Sequence, residues 1–267
     1  MQNFKTILYD KSEGIATITL NRPEVLNALN WVMNEELQAA WADIKKDPKT
    51  IVAIVTGAGD RAFCTGIDVK GMANDSPPIR KPDEKHRDLY FTAIHTQCWK
   101  PVITAINGMT VGGGLHFVAD SDIVIAADHA TFFDTHVKVG LVSGHEPIGL
   151  VRRMPFEAVM RMSLMGGQER MSAQRAFELG MISEVVPKDR LMARAREIAK
   201  MLLTNSPQSM IDSKKAIWGS LNYGREEGME YGWKVIGEHN VHADVREGSL
   251  AFVERRKPVW QAPKAEH

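Results

Sequence analysis

The hydrophobic and polar positions along the chain switch between two periods. Residues 5–9 and 15–20 alternate, with Ala16, Ile18 and Leu20 on one face and Thr17 and Thr19 on the other, which predicts two strands. The polar segment 10–14, ending in Gly14, suits a hairpin turn between them. After Arg22-Pro23, Val32, Leu37, Trp41 and Ile44 recur at about helical spacing, predicting a helix that starts at an Asn30 cap and stops at Asp47-Pro48. Residues 51–55 are a continuous apolar, partly β-branched run, as expected of a parallel strand buried on both faces, and 102–106 repeat it. A third short strand is expected at 123–127. Segment 57–66 then becomes the loop at the first strand's carboxyl end, while Gly112-Gly113-Gly114 follows the second strand and leads into a helix to about Val118. This rhythm of strand, loop and helix predicts an α/β fold with helices covering the sheet.

Between these units, 72–87 is polar, contains Pro77, Pro78 and Pro82, and reads as a loop before a helix over 89–99. Ser172 is placed to cap a short helix over 173–179 closed by Gly180, and 182–186 reads as one more strand. Helices are expected at 191–203, 207–218 and 226–239. The division that follows is an α/β core over 1–190 and a C-terminal helical region over 191–267.

Composition narrows the function classes. The 267 residues are 44% hydrophobic and 25% charged, with Lys plus Arg equal to Asp plus Glu at 33 each, so no global field attracts nucleic acid or an acidic membrane surface. The most apolar stretch, 102–127, is interrupted by Asn107, His116, Asp120 and Asp122, which argues against a membrane span. The N-terminus shows no secretion signal, and two cysteines, Cys64 and Cys98, fit a reducing cytoplasm.

The chemistry sits in two glycine-containing loops, each after a buried strand: 62–70, with Cys64, Gly66, Ile67, Asp68 and Lys70, and 107–116, with the glycine triplet and His116. Loops at the carboxyl ends of strands carry unsatisfied N–H groups, and glycine lets backbone approach a ligand closely. Neither loop fits a dinucleotide or Walker pattern. Together, and in order with Asn21-Arg22-Pro23, Asn27-Ala28-Leu29, the segment 171–186 and Arg255-Arg256-Lys257-Pro258, they closely resemble the crotonase (enoyl-CoA hydratase/isomerase) superfamily over almost the whole chain.

The resemblance implies a crotonase-like (ClpP/crotonase) fold of repeated ββα/βαβ units with a C-terminal helical region. It implies an assembly as a homotrimer or a hexamer of paired trimers, and an acyl-CoA substrate that brings coenzyme A with it, with no tightly bound cofactor. The backbone N–H groups of Ile67 and Gly113 match the family's oxyanion-hole donors. Glu24, Val25, Leu26, Ala62, Cys64, Asp68 and Lys70 fall where the family wraps the coenzyme. Its hydratases use two glutamates for proton transfer, whereas this chain carries His116 and His136 at those positions. Imidazole titrates near neutrality and can replace a carboxylate in acid/base work, so the pair is either catalytic or hydrogen-bonded within a repurposed pocket.

Two carboxylates offer support. Asp134, two residues before His136, shares its direction if the segment is extended, and is placed to orient the ring, to act as a base or to cap a turn. Glu146 lies where related enzymes place an acidic residue for proton abstraction or water activation. His145 is less favoured because adjacent residues diverge in direction. The two substituted histidines lack an established ligand spacing, so no metal is expected. The leading reading is a hydratase/isomerase-like enzyme working through a stabilised enolate. Hydrolysis of a thioester or of a carbon-carbon bond in a β-diketone, or silent acyl-CoA binding, are the alternatives.

Overall fold

A computed structural model of the chain describes residues 4–68 and 90–264. Strands β1 (Ile7–Ser12) and β2 (Ile15–Leu20) form the antiparallel hairpin, with a turn tighter than the sequence suggests. Only Glu13 and Gly14 separate the strands, both at positive φ (52° and 79°). Helix α1 (Trp31–Lys46) begins where the Asn30 side chain accepts from the Met33 N–H at 2.9 Å, and it carries Lys45 and Lys46 in its last turn. Its exit is secured by the buried Lys100, whose ammonium donates to the carbonyls of Ile44 and Asp47 at 2.6 Å each.

Strands β3 (Val52–Gly57), β5 (Val102–Ile106), β7 (Ile123–Ala127) and β10 (Glu184–Val186) extend the hairpin into a sheet of order β1-β2-β3-β5-β7-β10, parallel from β2 onward. Successive side chains of these strands enter opposite cores. Ala53, Val55, Val102 and Ile106 pack with α1, whereas Val52, Ile54, Ile103 and Ala105 pack with Leu191, Ala195, Ile198 and Ala199. That two-sided burial is why the strands read as unbroken apolar runs.

A second, smaller sheet of order β4-β6-β8-β9 is built from Ala62–Cys64, Met109–Val111, Thr131–Phe133 and Met171–Ser172. Both β4 with β6 and β6 with β8 are parallel, so the loops leaving these three strands emerge side by side. After β6, the glycine triplet forms a 3-10 turn (Gly112–Leu115) that passes into the one-turn helix α2 (His116–Ala119). Further helices are α3 (His145–Leu150), α4 (Phe156–Leu164), α5 (Ala173–Glu178, capped by Ser172), α6 (Leu191–Leu202), α7 (Pro207–Ser220), α8 (Arg225–His239) and α9 (Ala243–Glu254).

Several expectations need correction. Residues 90–99 form turns and not a helix: Gln97 takes a left-handed φ of 55° and the Cys98 N–H reaches back to the Ala93 carbonyl, reversing the chain toward Lys100-Pro101. Helices α3 and α4 were not anticipated, and α9 lies within the expected C-terminal helical region, where it was not placed individually. The expected loop over 72–87 and residue Lys70 lie outside the described residues.

Close approach of the two glycine loops is a packing constraint. A methyl group on Gly114 would lie 2.5 Å from the Cys64 carbonyl oxygen, a backbone atom that cannot rotate away. Gly114→Ala is therefore expected to destabilise the chain by about 1–3 kcal/mol through overpacking. Urea denaturation measures it, and an unchanged midpoint would show that the loops have slack.

Candidate active site

The first loop is held by one bridge. Leu29 pairs in parallel with Ile67: the Leu29 N–H donates to the Gly66 carbonyl and the Asp68 N–H to the Leu29 carbonyl, both at 2.8 Å. In a parallel bridge the residue between those two contacts turns its own N–H to the opposite side, so the Ile67 amide faces away from Leu29. Gly66 (φ 83°) brings this turn against the second loop. A methyl on it would stand 3.0 Å from the Gly113 nitrogen and 3.0 Å from the Val111 carbonyl oxygen, and one on Gly113 would lie 3.7 Å from Ile67 Cγ1. Two backbone segments thus lie in contact, and Gly113 opens a helical turn whose first N–H groups have no partner within the turn.

Two histidine–carboxylate pairs adjoin the glycine triplet, one through the helix that follows it and one by side-chain approach. His116, the first residue of α2, is buried at 5% exposure, and its Nε2 lies 3.3 Å from Oε1 of Glu146, also at 5%. Glu146 reaches this point from the first turn of α3. His136 lies beside the glycine triplet, its Cε1 3.5 Å from where a Gly112 methyl would be. Asp134, fully buried, accepts from the His136 N–H at 2.7 Å, from its Nδ1 at 2.9 Å and from the Ser143 hydroxyl at 2.8 Å. The segment is not extended as expected, because β8 ends at Phe133 and His136 is helical (φ −53°, ψ −54°). The ring and carboxylate still meet, since Asp134 holds the turn through the backbone of the residue whose ring it orients.

Electrostatics set the two imidazoles apart. Burial pushes His116 down to about 4, opposed by Asp120 and assisted by the neighbouring histidines. The Asp134 hydrogen bond instead raises His136 above its ordinary value, outweighing burial. Burial raises Asp134, but its bonds to His136 and Ser143 bring it below the usual carboxylate range. Glu146 is raised, chiefly by burial. The two imidazoles are thus displaced in opposite directions, His116 toward its neutral form and His136 toward holding its proton more tightly than a free imidazole.

The remaining expected residues separate into groups. Ala62 and Cys64 are wholly buried in β4, where the Ala62 carbonyl accepts from Asn27 Nδ2 at 3.0 Å, and burial pushes the Cys64 thiol up to about 12, which disfavours a thiolate. Glu24 and Val25 are exposed on a 3-10 turn, and Leu26 follows at φ 57° with its carbonyl accepting from Thr65 Oγ1. Asp68 is paired with Arg22 at 2.9 Å, and Arg22 also donates to the Ala28 carbonyl. His145, set aside on the sequence, has its ring centroid 6.3 Å from that of His116. Sequence reasoning missed His95 and Asp120. The His95 ring is 5.0 Å from the His116 ring, its Nε2 is 3.4 Å from Asp120 Oδ2, and Asp120 also accepts from Thr92 Oγ1 at 2.9 Å.

Comparison with known proteins agrees with this architecture. The family description Enoyl-CoA hydratase/isomerase matches residues 10–263. The chain is 36% identical over 257 residues to (E)-benzylidenesuccinyl-CoA hydratase of Thauera aromatica, covering 96% of this chain and 98% of that protein. It is 31% identical over 258 residues to carnitinyl-CoA dehydratase of Escherichia coli, covering 94% and 96%. Among solved structures, an enoyl-CoA hydratase/isomerase from Mycobacterium paratuberculosis superimposes with a TM-score of 0.88 at 42% identity, covering 97% of this chain and 99% of that one. An enoyl-CoA hydratase from Mycobacterium tuberculosis superimposes with a TM-score of 0.86 at 29% identity, covering 96% and 99%. With two glycine loops in contact at the ends of parallel strands and this agreement along nearly its full length, the chain belongs to the enoyl-CoA hydratase/isomerase family, as a crotonase-type enzyme acting on an acyl-CoA thioester.

Proposed function

We propose that the chain hydrates an enoyl-CoA thioester, or dehydrates the corresponding hydroxyacyl-CoA, with two histidine–carboxylate pairs doing the work of two glutamates. The observation that carries this reading is that His136, paired with Asp134, lies beside Gly112, while His116, paired with Glu146, begins the helix that the glycine triplet leads into. The thioester oxygen accepts from the amides of Ile67 and Gly113, which stabilise it as it gains negative charge. Each such donor contributes roughly 2.7–4 kcal/mol to the transition state.

Water loses a proton to Glu146, whose carboxylate His116 orients through Nε2–H, and the hydroxyl adds to the β carbon. The displaced electron pair becomes the enolate on the held oxygen. Protonation at the α carbon by His136 discharges it, and the proton on Glu146 returns to His136 through solvent. The names of the relatives, a hydratase and a dehydratase, support water addition or elimination over hydrolysis. Two proton-transfer groups near the same loops also weigh against a silent binding protein.

Coenzyme A is bound in this reading by the backbone of 62–68 and the 24–26 turn, with Lys70 as a phosphate contact. A trimer, or paired trimers, is supported by the apolar side chains left exposed on α8 and α9, Trp233 (66%), Ile236 (46%), Phe252 (86%) and Val253 (77%). Both cysteines are free and buried, in keeping with a cytoplasmic setting. Among the described residues no helix is long and apolar enough to cross a membrane.

Turnover of a panel of enoyl-, hydroxyacyl- and diketone substrates tests the reaction. Glu146→Gln is expected to lower kcat by about 10²–10⁴-fold, the usual range for a proton-transfer group, while leaving thioester binding in place. Wild-type rates in that variant would remove Glu146 from the mechanism.

The second pair makes a signed pH prediction. His136 is held protonated above the ordinary imidazole value, so Asp134→Asn should shift its titration, and the basic limb of the rate profile, to lower pH. The His136 contribution to stability is fully present below the unfolded imidazole value of about 6.5 and is lost as pH rises through the folded one, whereas that of Asp134 is lost as pH falls through its lowered value. Proton NMR titration of the ring reads both, and an unmoved titration in Asp134→Asn would sink the assignment.

A further inference from the structure

Donor bookkeeping around His116 leaves one position unfilled. Its two ring nitrogens face two carboxylates, Nε2 toward Glu146 at 3.3 Å and Nδ1 toward Asp120 at 3.9 Å. A neutral imidazole carries one N–H, so in either tautomer one ring nitrogen presents a lone pair to a carboxylate. With Nε2–H directed at Glu146, as the proposed mechanism has it, the bare nitrogen is Nδ1, and it faces Asp120 across a gap too long for a hydrogen bond. His95 enters that gap from the other side, its Nε2 3.4 Å from the same Asp120 oxygen, while its Nδ1 is buried without a partner among the described residues. In the His95 tautomer that keeps its N–H on Nδ1, two lone-pair nitrogens and a carboxylate oxygen converge on one gap, which is what a small cation requires.

We propose that His95, His116 and Asp120 form a transition-metal site, selective for Zn²⁺ or a similar borderline ion, whose occupation switches the hydration site off. The donor atoms all lie within 4.8 Å of one another. Ligands about 2.0–2.1 Å from a tetrahedral ion stand roughly 3.3 Å apart, so the pairs at 3.4 and 3.9 Å close with small side-chain movements. Two imidazoles with one carboxylate favour zinc, nickel or cobalt over magnesium or calcium. Outer contacts that orient such ligands are already present: Glu146 stands at the far nitrogen of His116, and Thr92 Oγ1 donates to Asp120. The fourth position is left to water or to a group of the substrate. This proposal departs from the expectation of no metal, which considered only His116 with His136. The gap was invisible in the sequence because its third ligand comes from a turn 21 residues upstream of His116.

The regulatory consequence rests on the proposed role of the His116–Glu146 pair: metal on Nδ1 fixes the ring's tautomer and holds a cation beside the groups that must take a proton from water. The site itself does not depend on that role, and the experiment separates them. Metal-stripped full-length protein is titrated with Zn²⁺ by calorimetry, and turnover is measured in parallel with and without added Zn²⁺. One ion per chain and loss of turnover on binding are expected. His95→Ala and Asp120→Asn should each weaken binding by at least about 10- to 100-fold, the cost of removing even an outer partner of such a site. His95→Ala should retain turnover in the metal-free state and resist inhibition, whereas His145→Ala, which removes an exposed neighbouring imidazole, should bind as the parent does. His95→Gln serves the same purpose if the alanine variant fails to fold. Zinc binding that is absent, or equally tight without His95, overturns the site. Binding as described with no effect on turnover overturns only the switch, and inactive metal-free parent protein counts against the hydratase reading alone.

Discussion

The parallel pairing of β4 with β6 is the interaction on which the rest of this molecule depends. It sets two strand ends side by side, so that the turns leaving them, one through Gly66 and one through Gly112–Leu115, press backbone against backbone. Only residues without a Cβ allow that approach: a methyl at Gly114 meets the Cys64 carbonyl, and one at Gly66 meets the Gly113 nitrogen. In the proposed mechanism the reward is a pair of main-chain donors whose positions are set by the backbone and not by side-chain rotamers. Such donors need no reorganisation when charge develops on the ligand.

Around that fixed pair, the side chains divide proton chemistry by environment. The same residue type occurs twice with opposite displacements: burial dominates at His116, and a charged partner dominates at His136. Each is backed by a carboxylate brought from a different element, Glu146 from α3 and Asp134 from the turn after β8. A small shift of either helix or turn would therefore change the protonation balance without moving the amides.

Much of this was legible in the chain because it lies in strand periodicity and in glycine placement. The core strands and α1 follow directly from two-sided apolar runs and from Asn30. The short helices were harder. In α3, six residues include Pro147, which reads as a breaker although it sits in the first turn, where no N–H bond is lost. In α9, Phe252 and Val253 are adjacent and both exposed, so the apolar positions do not mark one buried face. At the site, His116, His136, Asp134 and Glu146 could be singled out by position against the family pattern. His95 and Asp120 could not, because their meeting requires the reversal at Gln97 and the course of the chain through β5 and β6 to the end of α2, neither of which carries a local signal.

Replacing glutamate by histidine at two positions also changes what must be buried. A glutamate carries its own charge, whereas an imidazole needs a partner to fix its tautomer, so each histidine adds a carboxylate to the interior. An unpaired buried carboxylate costs several kcal/mol. Asp134, fully buried, offsets that cost with two bonds from His136 and one from Ser143. Glu146 has a smaller set, its own backbone N–H and His116 Nε2 at 3.3 Å, and burial raises its affinity for a proton. The well-satisfied carboxylate is suited to holding a charged ring in place, and the poorly satisfied one to accepting a proton. The two pairs are thus chemically distinct because their hydrogen-bond complements are unequal, even though their residue types match.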